Sequence, residues 1–204
     1  LSDNGAEPTD PYNRLRNRLF LNAQLDNSLG NIGRRGSMSV IGPSWASAAA
    51  SPLKGYKFSA AEGGLRVPLI LHWAGGKWPS GAIASGFAHV TDLAPTIAQL
   101  AGAALPDGNW QGRPVEPVTG RSLVPMLAGG SHSVHGDEPL GYELAGNSAL
   151  FRGGYKLMRN LPPTGTGEWE LYNLTEDMGE TRNLADVQPE IFASMLADYQ
   201  AYAK

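Results

Sequence analysis

The chain of 204 residues contains no cysteine. That excludes disulfides and thiolate metal sites, and it leaves the redox compartment open. No apolar run approaches the roughly 18 residues needed to cross a bilayer, so no membrane partner is assigned. A basic excess is also missing. Sixteen Lys and Arg against 19 Asp and Glu give a formal net charge of −3, which offers no electrostatic footprint for nucleic acid. Leu1 is not a start methionine and no signal peptide follows it. In an internal fragment that absence does not bear on export, so cytoplasm and periplasm both stay open.

The composition that is present, 42% apolar and 17% charged, is that of a globular chain able to bury a core. With 26 Gly and 15 Pro, loops should occupy much of it. The most informative stretch runs from Pro52 to Pro68. Lys54, Lys57, Glu62 and Arg66 stand there among small residues, ahead of the strongest apolar run in the chain. Gly63 and Gly64 permit close backbone approach just before that run. Residues 65–73 read as a buried strand, with Pro68 implying an edge or bulge. A lysine on a small-residue loop beside a strand suits an oxyanion, because its ammonium is a point charge with three donors. Near the start, Ser2-Asp3-Asn4-Gly5 places oxygen-bearing side chains in succession. Hard cations such as calcium and magnesium take such ligands, and Asp-Asn-Gly is equally a good turn.

Lys57-(x)4-Glu62-Gly63-Gly64-x-Arg66-Val67-Pro68 resembles the active-site lysine motif of the type I, formylglycine-dependent sulfatases, and Ser2-Asp3-Asn4-Gly5 resembles their downstream calcium-ligand motif. Thr91-Asp92-Leu93-Ala94-Pro95-Thr96, Gly120-Arg121-Ser122-Leu123 and Trp169-Glu170-Leu171-Tyr172-Asn173-Leu174 fall in the family's order, with the bacterial arylsulfatases most similar. The resemblance spans nearly the whole chain but only the C-terminal part of such an enzyme. It implies hydrolysis of a small-molecule sulfate ester, with Asp3 and Asn4 as two ligands of one calcium ion. Lys57 is implied as the catalytic lysine that binds the sulfate, six residues ahead of the glycine pair. The formylglycine and the remaining metal ligands would come from a missing N-terminal part. The modification motif Cys/Ser-x-Pro/Ala-x-Arg is absent here. Ser148 to Arg152 comes nearest, but Leu150 stands where Pro or Ala is required. Two rivals are weighed beside this reading. One is a phosphate or phosphonate monoester hydrolase of the same superfamily, whose two-zinc form would need Asp-His where Asp3-Asn4 stands. The other is a non-catalytic fragment or paralogue lacking the nucleophile.

The expected fold is α/β, in two parts. Residues 1–136 would belong to a sulfatase-type, alkaline-phosphatase-like sheet. Residues 137–204 would form a small four-stranded antiparallel sheet with a packing C-terminal helix. The strands are placed at 141–144, 149–152, 155–159 and 169–173, and the helix at 188–202 with Ile191, Phe192, Met195, Leu196, Tyr199 and Tyr202 as its apolar stripe. Shorter helices are expected at 23–32, at 44–50 capped by Ser44, and at 92–100 capped by Thr91 and stopped by Gly102. Trp45 and His72 are read as core residues and Asp92 as support for its helix. Arg14, Arg16 and Arg18 are read as a solvated face. His132 and His135 are read as residues of a surface turn rather than zinc ligands. Arg66 is expected to anchor its loop through Glu62. If residues 65–73 lack neighbouring strands, their edge should be unpaired and their apolar face exposed.

Overall fold

A computed structural model describes the chain apart from Lys77, Gly130, Ser131 and His132; the reading of His132 therefore lies outside the described residues. The described residues divide into two compact units, 1–70 with 139–204, and 71–138.

The first unit is built on a four-stranded antiparallel meander in the order β3 (Leu140–Leu144), β4 (Asn147–Arg152), β5 (Tyr155–Arg159), β6 (Trp169–Asn173). Because side chains alternate along a strand, the register sorts them into two faces. Gly141, Leu150, Leu157 and Leu171 are opposite one another on one face. Helix α6 (Pro189–Tyr202) covers this face, and Leu184, Met195 and Tyr199 complete the core with the leucines. Gly141 is required: any Cβ there would run into the ring of Tyr202. The Tyr199 hydroxyl donates to Glu143 and is bonded to the Ser148 hydroxyl at 3.0 Å on the same face. The opposite face carries Leu140, Phe151, Lys156 and Tyr172 in one row, and the loop 54–66 lies over it. Lys54 there donates to the Tyr172 hydroxyl at 2.9 Å. The strands and the C-terminal helix thus stand where the turn-separated segments and the helical stripe place them.

The rest of this unit is less regular. Helix α1 (Leu15–Gln24) buries none of its residues, and Arg14, Arg16 and Arg18 are exposed on and before it. The expected helix at 23–32 is replaced by α1, which ends at Gln24. Helix α2 (Gly42–Ala50) starts at an Ile41 cap with Pro43 in its first turn, so Ser44 lies inside it. Trp45 on α2 is 72% exposed and is not a core residue. A single short helical turn, α3 (Glu62–Leu65), follows the Lys57 loop. Residues 66–73 form no strand, contrary to expectation. No strand pairs with them among the described residues, the Pro68 carbonyl accepting instead from the Ser2 amide, and the apolar run faces outward, with Ile70 86% exposed. His72 is exposed for the same reason.

The second unit centres on Asp92, at the end of a 3-10 turn (Val90–Asp92) that runs into α4 (Leu93–Ala101). The cap is His89 rather than Thr91, and Gly102 ends the helix at φ +65°. Fully buried Asp92 accepts from the amides of His89 (2.7 Å) and Arg121 (2.8 Å) and pairs with His135 Nε2 at 2.9 Å. Asp92 is therefore structural, as expected. His135 is buried against it rather than lying on a surface turn. Thr96 Oγ1 accepts from the amide of Leu123, which leads into α5 (Val124–Leu127). A two-residue hairpin, β1 (Asn109–Trp110) with β2 (Arg113–Pro114), completes the unit.

Candidate functional site

Residues 2–7 run alongside 57–68, backbone against backbone. The Ser2 amide donates to the Pro68 carbonyl at 3.3 Å, the Gly5 amide to the Gly64 carbonyl at 3.0 Å, and the Lys57 amide to the Ala6 carbonyl at 3.1 Å. The crossing is so close that a Cβ on Gly5 would collide with the Gly63 carbonyl. Gly63 in turn leaves no room for a Cβ against the carbonyls of Gly55 and Lys54. Gly63→Ala is expected to destabilise the chain by about 2–3 kcal/mol, the cost of forcing a methyl into a filled space. Urea unfolding of the purified chain measures it.

The crossing thus sets the backbone of the Asp3-Asn4 turn beside that of the Lys57 loop, and the cavity next to it is lined by Asn4 but by neither Asp3 nor Lys57. Asp3 and Asn4 are both exposed. Asn4 Nδ2 donates to the Gly5 carbonyl at 2.8 Å, which commits the amide nitrogen to the backbone. The ion-pair partner of Lys57 is Glu7, at 2.6 Å, and not Asp3. The Lys57 ammonium also lies 5.2 Å from the centre of the Phe58 ring. Its hydrogen bond to Glu7, helped by Thr9, holds that carboxyl down to about 2. Beside the crossing is a cavity of about 200 Å³, lined by Ser2, Asn4 and Gly5 on one side and Gly63, Arg66 and Pro68 on the other.

Behind the loop lies a cluster of buried charge. Glu62 is bonded at both oxygens, Oε2 to Arg66 Nε at 2.7 Å and Oε1 to Lys156 Nζ at 2.8 Å. The anchoring of Arg66 on Glu62 is as the sequence suggested. Lys156, fully buried, also donates to Glu180 Oε1 at 2.8 Å, and Glu180 Oε2 accepts from the Glu62 amide at 2.8 Å. Burial would raise Glu62, but Lys156 and Arg66 outweigh it and hold it below the ordinary range. Glu180 shares only Lys156, and burial pushes it up. Two amides extend the contact: Asn160 Oδ1 accepts from the Ala60 amide at 2.7 Å, and Asn147 Nδ2 donates to the Phe58 carbonyl at 2.5 Å.

Lys156, Glu180, Asn147 and Asn160 were not singled out from sequence. A lysine inside Tyr155–Arg159 reads as a solvent-facing strand position. The available signal was the near-continuous apolar run of Ala149, Leu150 and Phe151 beside it, which marks a sheet covered on both faces. No group of three or more His, Asp or Glu placed to hold a metal occurs among the described residues.

Residues 1–103 match the family model described as Sulfatase. The chain belongs to the sulfatase family. It is 37% identical over 179 residues to an uncharacterized sulfatase of Schizosaccharomyces pombe, covering 87% of this chain and 32% of that protein. It is 35% identical over 124 residues to an arylsulfatase of Klebsiella aerogenes, covering 60% of this chain and 26% of that one. Among solved structures, Ps i-CgsB in complex with k-i-k-neocarrahexaose superposes with a TM-score of 0.61 at 27% identity over 74% of this chain and 32% of its own. The chain thus spans a third or less of the length of these relatives.

Proposed function

We propose that this chain contributes one wall of the active site of an arylsulfatase-like enzyme that hydrolyses sulfate esters. The observation that carries this is the backbone crossing of residues 2–7 with 57–68, which sets an exposed Asp-Asn pair and a lysine on neighbouring loops. Residues 1–136 are assigned to the catalytic domain and 137–204 to a C-terminal subdomain.

In this reading Lys57 contacts the sulfate and the oxygen that leaves. A fixed ammonium there stabilises the charge that develops on those oxygens in the transition state. Lys57 is held meanwhile by Glu7, so an anionic substrate has to take the carboxylate's place. Asp3 and Asn4 fit calcium in donor type, since both present hard oxygens, and they supply two of the six to eight ligands it takes. Bound there, calcium would draw charge from the sulfuryl oxygens. The remaining ligands and the formylglycine belong to sequence preceding Ser2 in this proposal. Nothing in this chain fits the formylglycine: Ser148 is buried in β4 and bonded to Tyr199.

With two protein ligands, the 204-residue chain should bind calcium with a dissociation constant of about 10⁻⁴ M or weaker. Titration calorimetry should show that weak heat vanish in Asp3→Ala; a submicromolar site in the chain alone would contradict the ligand assignment. Substrate class is tested by parallel rates of an active enzyme carrying this chain on an aryl sulfate and an aryl phosphonate. Faster turnover of the phosphonate would move the assignment to the monoester hydrolases. The isolated chain is expected to turn over neither.

A further inference from the structure

We propose that the sheet face opposite α6 acts as a clamp that sets the position of Lys57, with Lys156, Asn147 and Asn160 as its positioning residues. The inference rests on the reading of Lys57 as the sulfate-binding lysine.

The loop around Lys57 has little regular structure of its own, only the single turn α3. Its shape is imposed from the sheet. The Phe58 carbonyl is bonded by Asn147 at the start of β4, the Ala60 amide by Asn160 just after β5, and the Glu62 carboxylate by Lys156 in β5. The Glu62 amide is taken by Glu180, which is itself fixed by the same lysine. These tethers fall on alternate residues 58, 60 and 62, immediately after Lys57. Glu62 cannot rotate without breaking a bond at each oxygen, one to Lys156 and one to Arg66.

The residue next to Lys57 shows the effect. Phe58 is held at φ +74°, a left-handed conformation that a bulky side chain adopts only when its surroundings enforce it. The Asn147 bond to the Phe58 carbonyl holds this residue from the sheet side, beside the flanking bonds of the Lys57 amide to Ala6 and of the Ser59 amide to Tyr56. The Lys57 side chain itself meets Glu7 and the Phe58 ring, so the direction it takes follows from the backbone at 58. Lys156 does not touch Lys57 and acts through Glu62. A fastening that served packing alone would distribute its bonds along the covered loop. Apart from the Lys54 bonds to Tyr172 and Glu170, those seen here fall on the five residues that follow the lysine.

The test is carbon-13 NMR of the full 204-residue chain after reductive methylation of its lysines, with the Lys57 resonance assigned by Lys57→Arg. In the unaltered chain that resonance should be displaced from the resonance of exposed Lys204 by the Glu7 carboxylate and the Phe58 ring. Asn147→Ala, Asn160→Ala and Glu180→Gln should each remove most of the displacement while far-ultraviolet circular dichroism stays unchanged. The two asparagine variants strand no buried charge, so they decide the matter even if Glu180→Gln unfolds. Arg152→Ala, which breaks the ion pair with Asp198 on the α6 face, should leave the resonance in place. Folded Asn147→Ala and Asn160→Ala chains with Lys57 at its original resonance overturn the proposal, and so does an equal movement in Arg152→Ala. None of these readings depends on sulfate. Failure of the sulfatase assignment shows separately, as unchanged turnover in Lys57→Ala.

Discussion

Lys57→Ala is expected to lower kcat for an aryl sulfate by about 10²–10³-fold in an active enzyme carrying this chain. That is the effect of removing one fixed donor aimed at developing negative charge. The magnitude follows from the role, because an ammonium that binds ground state and transition state alike would change KM and spare kcat. Lys57→Arg should not restore the rate. Its planar fork presents donors at a different reach and angle, and the pairing with Glu7 would draw it into a bidentate arrangement. Glu7→Gln supplies the opposite sign. It removes the carboxylate that occupies Lys57, so KM for the anionic substrate should fall. The Lys57 hydrogen bond holds the Glu7 carboxyl down to about 2, so the pair stays formed through the neutral and mildly acidic range, and no fall in KM from its protonation is expected there. Steady-state kinetics on the three variants distinguishes these outcomes.

The largest effect on stability is expected from Lys156→Met. Among the described residues it removes the only cation that both buried carboxylates share and leaves Glu180 with no ion pair, a loss of about 3–5 kcal/mol. Against a total of about 5–15 kcal/mol that is close to unfolding. Adding Glu62→Gln and Glu180→Gln to Lys156→Met should recover much of the loss, since no charge is then stranded. The pH dependence separates the two acids. Glu62 sits below its ordinary value when folded, so its contribution is full above that value and is lost as pH falls through the folded one. Glu180 is raised, so it takes a proton more readily folded than unfolded, and acidification through its raised value favours the fold. In the unaltered chain acid loss should therefore begin only below the usual glutamate value of about 4.3. The penalty of Lys156→Met should shrink on going from about pH 8 to about pH 5 as Glu180 protonates. Urea unfolding at the two pH values measures both.

The elements legible from sequence were those whose pattern is local. The short strand segments set apart by turn residues in 140–173 and the stripe from Ile191 to Tyr202 specify the sheet and its helix without outside help. Gly102 and the Arg66–Glu62 pair, four residues apart, were equally readable because both act within one turn of chain. What failed depended on partners. Residues 65–73 have the composition of a strand, but a strand exists only through a ladder, and none is offered to it among the described residues. Trp45 and His72 were placed inside because apolar and aromatic residues are usually covered, and the described residues leave both exposed. His135 was missed for the converse reason: Gly, Ser and Asp around it suggest a surface turn, while the bond that buries it comes from Asp92, 43 residues earlier. The charge cluster was illegible in the same way, since Glu62 and Lys156 are 94 positions apart. The ligand roles of Asp3 and Asn4 rest on the resemblance alone; the structure adds a steric reason for the glycine of the turn that carries them.

The order of the chain gives the interleaved first unit one more property. The loop that carries Lys57 meets its clamp only through residues 147–180, with the whole 71–138 unit in between. During synthesis, at about 5–20 residues per second, the lysine loop therefore emerges well before the sheet residues that tether it, with only the preceding residues 2–7 beside it. A nascent chain arrested on the ribosome before Glu180 has left the exit tunnel should hold the loop in an unsettled form. Release of the last strand and helix is then the step that closes it.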